Sequence, residues 1–289
     1  MANFHLMHCV HPRAHGLLGY LEVIQTIGWA LEQLGHQVKY ELNHFDPQAI
    51  NIVFGAQVLP METLTELPDN TIVYHMEQLR NAAPAQVKPQ LRHAAQHFEI
   101  WDYTDANATV WVALNAKRLQ TVPIGYAPLL TRIARPPQQD IDVLLYGLSS
   151  QQRLQALHLL SQAGLSTVYL SGLYGQARDE LIGRSKIILN VTLYVRSQIF
   201  EIVRASYLLA NSKAVVAIRD PHVAIEPDIE RAIRFTTMER VIEDCLELCE
   251  HDDLRARIET TALKLIQRRD IRPIINSALS KSSILGSPA

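Results

Sequence analysis

Residues 186–218 read KIILNVTLYVRSQIFEIVRASYLLANSKAVVAI. Two short aliphatic runs, 186–191 and 214–218, flank a segment over 200–209 whose apolar residues recur at helical spacing. Runs of that length without polar alternation suit strands buried on both faces of a parallel sheet. Parallel neighbours need a crossover between them, and the helical segment supplies one. The stretch therefore predicts strand–helix–strand α/β structure, and the same pattern continues in both directions. Downstream, 233–236 reads as a short strand and 238–269 as mostly helix. Upstream, 142–146 is a strand ending at Gly147 and 151–163 an amphipathic helix closed by Gly164. Segment 167–171 is a strand and 176–184 a helix.

The first half repeats the scheme. Strands are predicted at 4–10, 36–42, 50–55, 71–75 and 98–102, and a helix over 18–34 is ended by Gly35. Between the halves, 131–139 (TRIARPPQQ) has a Pro-Pro pair and no periodicity, which is linker composition. The expected organisation is one Rossmann-like domain over 1–132, a second over 140–270, and a tail over 271–289 whose end (SKSSILGSPA) frays. Two such domains imply a cleft. In open α/β sheets ligands bind beyond the carboxyl ends of the strands, so the chemistry is expected on the loops there.

Composition narrows the classes. The 289 residues are 48% apolar and 19% charged, with net charge −2, which excludes disorder, a coiled coil and a basic nucleic-acid clamp as first readings. The three cysteines, Cys9, Cys245 and Cys249, are too scattered for a disulfide framework and point to a reducing cytoplasm. No run approaches the roughly 20 apolar residues of a membrane span. The opening MANFHLMHCVHPRAHG lacks the charged-then-apolar order of a signal peptide. GxGxxG after the first strand, the Walker pattern and GxSxG are all missing, which disfavours a dehydrogenase, a P-loop NTPase and an α/β-hydrolase. Neither a DxD triplet nor a zinc spacing occurs, so no metal and no cofactor is expected; Cys245 and Cys249 read as core filler.

DVLLYG (142–147), LYGQARDELIGRSKIILNV (173–191) and FEIVRASYLLANSKAVVAI (200–218) together resemble the nucleotide-sugar domain of GT-B glycosyltransferases, in the bacterial group-1, CgeB-like branch. GYLEVIQTIGWALEQLGHQV (19–38), INIVFGAQ (50–57), VYHMEQL (73–79), WDYTDAN (101–107) and VPIGYAP (122–128) are similar to segments of the acceptor domain. The resemblance spans about residues 4–260 and implies two domains facing a cleft. It also implies metal-independent transfer of a sugar from a nucleoside-diphosphate sugar to a glycan, protein or small-molecule acceptor. The sequence departs from the branch at Thr192, where LN-x-His is common, and at Arg219-Asp220, where Ser-Glu is commoner. Leu193 and Leu209, eight residues either side of Glu201, leave no paired glutamate. A drifted GT-B fold kept as a binding or scaffold subunit is the alternative, and a sugar-nucleotide epimerase shares the fold.

A helix opening near Ile199 would offer free N–H groups and a positive dipole end to an anion. Arg196, Ser197 and Gln198 stand just before it, and Glu201 in its first turn can accept two ribose hydroxyls. The resemblance gives Glu201 to the ribose and the helix start to the diphosphate. Arg204 shares the face of Glu201, and a plain surface i,i+3 ion pair is the rival reading. Gly147, Ser149 and Ser150 form a glycine turn that can cradle phosphate, with Ser150 also a natural helix cap. Tyr174 lies where the family places base contacts, and Asn190 ends its strand toward the same loops. On the acceptor side, Gly16, Gly19 and Tyr20 let a substrate approach the backbone. Candidates for the general base are His15, Glu77 and Asp102, with His8, His11 and Asp105 as rivals.

Overall fold

A computed structural model describes residues 1–11, 15–79, 82–193 and 199–285, with 15–17 described by their backbone alone. The chain forms two compact units: residues 1–127 together with the segment from Asp270 onward, and residues 128–269.

The first unit holds six strands: β1 (Asn3–His8), β2 (Gln37–Leu42), β3 (Ile50–Phe54), β4 (Ile72–His75), β5 (Glu99–Asp102) and β6 (Arg118–Thr121). All pairings are parallel, in the order β2-β1-β3-β4-β5-β6. Strands β3 to β5 are buried almost throughout, as their apolar runs require, whereas β2 and β6 lie at the edges and expose much of their length. The helices are α1 (Leu21–Gln33), α2 (Met61–Glu66), α3 (Pro89–His97) and α4 (Ala108–Ala113). Residues 18–20, expected in the first helix, belong to a 3-10 turn over His15–Tyr20. A core of Met7, Val53, Val73, Ile100 and Trp111 fills one face of the sheet.

The expected tail is a helix instead. Ile271–Lys281 buries Ile271, Ile275, Ala278 and Leu279, an i, i+4, i+7, i+8 stripe, and packs on α1. Three further bonds fasten it to this unit: Ile271 N–H donates to the Tyr126 carbonyl (3.1 Å), the Gln120 amide to the Ala278 carbonyl (3.1 Å), and the Ser282 hydroxyl to Glu99 (2.8 Å).

The second unit has five parallel strands: β7 (Ile141–Tyr146), β8 (Thr167–Leu170), β9 (Ser185–Asn190), β10 (Ala214–Ile218) and β11 (Arg234–Thr236). Their order is β11-β10-β9-β7-β8. The helices are α5 (Gln151–Gln162), α6 (Gly175–Arg184), α7 (Ile202–Ala210), α8 (Pro227–Ala232), α9 (Val241–Glu250) and α10 (Asp252–Gln267), so the run predicted over 238–269 is two helices that meet at His251; the helix over Ile271–Lys281 is α11. Ser150 caps α5 as its position predicts, accepting from Arg153 N–H. Cys245 is buried in the core and Cys249 borders it; burial pushes their thiols up to about 12 and about 11. The Pro-rich segment is bound to this unit at both ends, with Gln139 donating to the Gly183 (3.1 Å) and Ser185 (2.6 Å) carbonyls. Asn211 Oδ1 accepts from the backbone of Arg132 and Ile133 (both 2.8 Å), and Thr131 donates to the Ala210 carbonyl (2.8 Å). A Cβ on Gly183 would stand 2.6 Å from the Ala134 carbonyl, so the segment needs glycine there.

Each sheet has one topological switch point, where the chain leaves in opposite directions: between β1 and β3 in the first unit, between β7 and β9 in the second. Loops at those carboxyl ends are where α/β sheets bind ligands.

Candidate functional site

At the second switch point, β7 is followed by Gly147 with φ +124°, a conformation only glycine adopts freely. A Cβ there would lie 2.7 Å from Arg204 Nη2 and 2.9 Å from Arg153 Nη1. The missing side chain lets two guanidinium groups crowd against the turn. Arg153, on α5, is 1% exposed and fully engaged. Its Nε donates to the Val191 carbonyl (2.8 Å), Nη1 to the Leu148 carbonyl (2.7 Å), and Nη2 to both oxygens of Glu201 (2.9 and 3.2 Å). Arg204 Nη1 pairs with Glu201 Oε2 at 3.0 Å and reaches Asn190 Oδ1 at 3.3 Å. Leu193 N–H adds a bond to Glu201 Oε1 at 3.3 Å.

Helix α7 begins later than the sequence predicts. Glu201 stands at the N-cap position, not in the first turn, and its side chain does not cap the helix. The physical reason lies in the turn before it: Ile202 N–H bonds to the Phe200 carbonyl (2.7 Å), and the carboxylate is drawn sideways by the two arginines. The rival reading of a solvent-facing i,i+3 pair gives way to a half-buried network, because Arg153 shares the same carboxylate. Arg196, Ser197 and Gln198 lie outside the described residues.

A column of alternating cations and rings runs away from this cluster. Arg204 lies over Tyr146 (5.0 Å), Arg178 over both Tyr146 (6.0 Å) and Tyr207 (4.9 Å), and Arg132 over Tyr207 (5.3 Å). Asp179 ties the column together, accepting from Arg178 (2.7 Å) and the Tyr207 hydroxyl (2.6 Å). Tyr174 precedes α6; burial raises its phenol, and the charges of Arg178 and Arg204 oppose the rise. Ser149 is exposed beside Gly147. Sequence reasoning missed Arg153, Arg178, Tyr146 and Tyr207. Arg153 carried a signal, since it falls on the buried stripe of α5 with Ala156, Leu157 and Leu160, where a lone cation demands acceptors.

At the first switch point, Tyr20 is buried, donates its hydroxyl to Glu77, and receives the Gln57 amide at 3.4 Å. His8 stacks on Tyr20 (6.5 Å between centroids), and its Nδ1 bonds the Tyr40 hydroxyl at 3.0 Å. Glu77 itself is exposed, just beyond β4, and its loop is held by Asn107, which donates to the Glu77 carbonyl (2.8 Å) and accepts from Leu79 N–H (3.0 Å). Asp102 is the opposite case. It is 1% exposed and receives Trp111 Nε1 (2.7 Å), Thr104 N–H (3.0 Å) and the Asn107 amide (3.0 and 3.2 Å). Burial pushes its carboxyl up to about 7 against those bonds. Asp105 is bonded by Thr121, and His11 is exposed. Gly16 and Gly19 lie in the 3-10 turn, as does the backbone of His15, whose side chain is outside the described part. Among the described residues no group of three or more His, Cys, Asp or Glu is placed to hold a metal, and no helix is long and apolar enough to cross a membrane.

No protein-family model matches the sequence, and no curated protein is significantly similar to it. Solved structures do match. Anabaena Alr3699/HepE, in complex with UDP and glucose, superposes with a TM-score of 0.60 at 11% identity, over 98% of this chain and 100% of that one. T4 phage BGT, in complex with its UDP-glucose substrate, gives 0.57 at 11% identity, over 97% and 99%. AviGT4, a glycosyltransferase involved in avilamycin A biosynthesis, gives 0.55 at 12% identity, over 97% and 96%. The fold is therefore the two-sheet α/β fold of GT-B glycosyltransferases, as the sequence predicts.

Proposed function

We propose that this chain is a metal-independent glycosyltransferase of the CgeB-like branch, working in the cytoplasm and moving a sugar from a nucleoside-diphosphate sugar to a hydroxyl acceptor. The observation that carries this reading is the pair of guanidiniums gathered on Glu201 over Gly147 at the β7–β9 switch point. A diphosphate needs cations and N–H donors there, and a ribose needs a carboxylate. Structures of the same fold with UDP or UDP-glucose bound support the donor class. In the reaction, the acceptor oxygen bonds to the anomeric carbon as the carbon–oxygen bond to the diphosphate breaks. Negative charge grows on the departing phosphate, where Arg204 would act and where fixed cations lower the barrier most. The acceptor proton would pass to Glu77, which is exposed and already accepts one hydroxyl, in preference to buried Asp102, whose oxygens are filled.

One observation favours a second reading. Glu201 already accepts from Arg153, Arg204 and Leu193 N–H, so a ribose must displace or share a bond. A binding subunit without turnover would tolerate that. The test is product formation with UDP-, GDP- and dTDP-sugars in the presence of EDTA. Transfer that survives EDTA supports the enzyme; nucleotide binding without product supports the binding subunit; neither binding nor product refutes both.

A further inference from the structure

The second unit has a separate hollow of about 430 Å³ beyond the carboxyl end of β10 and along β11. Three arginines from three elements face it: Arg219 follows β10, Arg234 opens β11, and Arg240 precedes α9. Thr236 and Thr237 also line the wall, their hydroxyls bonded to Asp244 and Glu239. Each guanidinium is steered from outside. Glu230 takes Arg219 Nη1, Glu243 takes Arg240 Nε (3.3 Å), and Glu247 shares Arg234 Nη2 (2.9 Å), yet none of these three acids lines the hollow. Asp244, the one acid in the wall, is 3% exposed and occupied by Arg234 through Nε (3.0 Å) and Nη2 (2.6 Å). Among the described residues that leaves Arg219 Nη2, Arg234 Nη1 and both terminal nitrogens of Arg240 for a ligand. Arg219 is held flat by Phe235, 5.4 Å below it.

We propose that this hollow is a binding site for a phosphate monoester, distinct from the Glu201 cluster. A carboxylate is satisfied by one guanidinium fork, whereas the Arg240 fork together with Arg219 Nη2 and Arg234 Nη1 offers donors from three directions, which matches the three terminal oxygens of a phosphate. The hollow adjoins the nucleotide cluster without sharing its residues: Phe200, next to Glu201, packs edge-on against Phe235 at 5.6 Å. A phosphate on a sugar and free phosphate present the same group, so both serve as probes.

Phosphorus NMR titration of the full chain with inorganic phosphate, and separately with glucose 6-phosphate, tests the site. Saturable binding is expected, weakened about tenfold or more in Arg219→Gln and in Arg240→Gln, since each removes charged hydrogen bonds. The two side chains are 40% and 62% exposed and lie outside the core, so the variants are expected to keep the wild-type circular dichroism, which is measured alongside. Tighter binding of glucose 6-phosphate than of phosphate would identify a phosphorylated sugar; equal binding would identify the free ion. Glu201→Gln should leave the phosphate affinity within about twofold. Loss of phosphate binding in Glu201→Gln, or unchanged affinity in both arginine variants, would overturn the proposal. A failure of UDP to bind would count against the nucleotide reading alone.

Discussion

Around the β7–β9 switch point the polar groups are two guanidiniums, a carboxylate they share and the backbone of a glycine turn, with a cation–ring column behind them. Around the β1–β3 switch point they are a phenol, an amide, an imidazole and an exposed carboxylate. The sheets share parallel pairing and the same reversal of strand order, so the difference is in the loops. One edge gathers fixed cations and the other neutral polar groups with one exposed carboxylate; in the proposed function the first would hold the diphosphate and the second would orient and deprotonate an acceptor hydroxyl. A shared architecture has been divided between two chemistries by which side chains follow the strands.

The sharpest way to break the contrast is Arg153→Ala. It strands the Val191 and Leu148 carbonyls and leaves Glu201 with one cation, so urea unfolding should show a loss of about 3–5 kcal/mol in the second unit. Gly147→Ala comes next. The positive φ and the two guanidiniums inside 3 Å of a new Cβ predict a loss of about 1–3 kcal/mol, with Arg204 displaced and UDP bound more weakly. On the other edge, Asp102 predicts a pH effect of definite sign. Its carboxyl is raised from 3.8 to about 7 by burial, so the folded chain holds a proton there that the unfolded chain has released. The resulting stability is complete below pH 4 and lost as pH rises through 7. Urea midpoints measured from pH 4 to 8 should show that fall, and Asp102→Asn should flatten it. The smallest effect belongs to the column. Tyr207→Phe loses the hydroxyl bonds to Asp179 and Arg132, about 1 kcal/mol by thermal unfolding, while the ring contacts with the arginines remain.

The sheets were legible because buried parallel strands are continuous apolar runs; INIVF, KIILN and AVVAI each need no context to be read. Strand β6 was not, since RLQT is a short, half-exposed edge with no run to detect. The helix over Ile271–Lys281 was hidden behind a Pro at its start and a polar end, and its apolar stripe has meaning only against α1, far away in sequence. The candidate site was half legible. Glu201, Arg204, Asn190 and Gly147 do come together, and Tyr20 does meet Glu77. Arg153 and the column escaped because long-range charge pairing leaves no periodic trace, and the burial of Asp102 cannot be seen in WDYTDAN.

The proposed function stands or falls with Glu201 and its arginines as the nucleotide site. Titration calorimetry of UDP against the wild-type chain and Glu201→Gln, at a temperature where both keep their circular dichroism, tests this directly. One UDP per chain is expected in the wild type, and affinity at least about tenfold weaker in the variant, as loss of a charged hydrogen-bond acceptor requires. Equal affinity in the two proteins, or no UDP binding to the wild type, would contradict it.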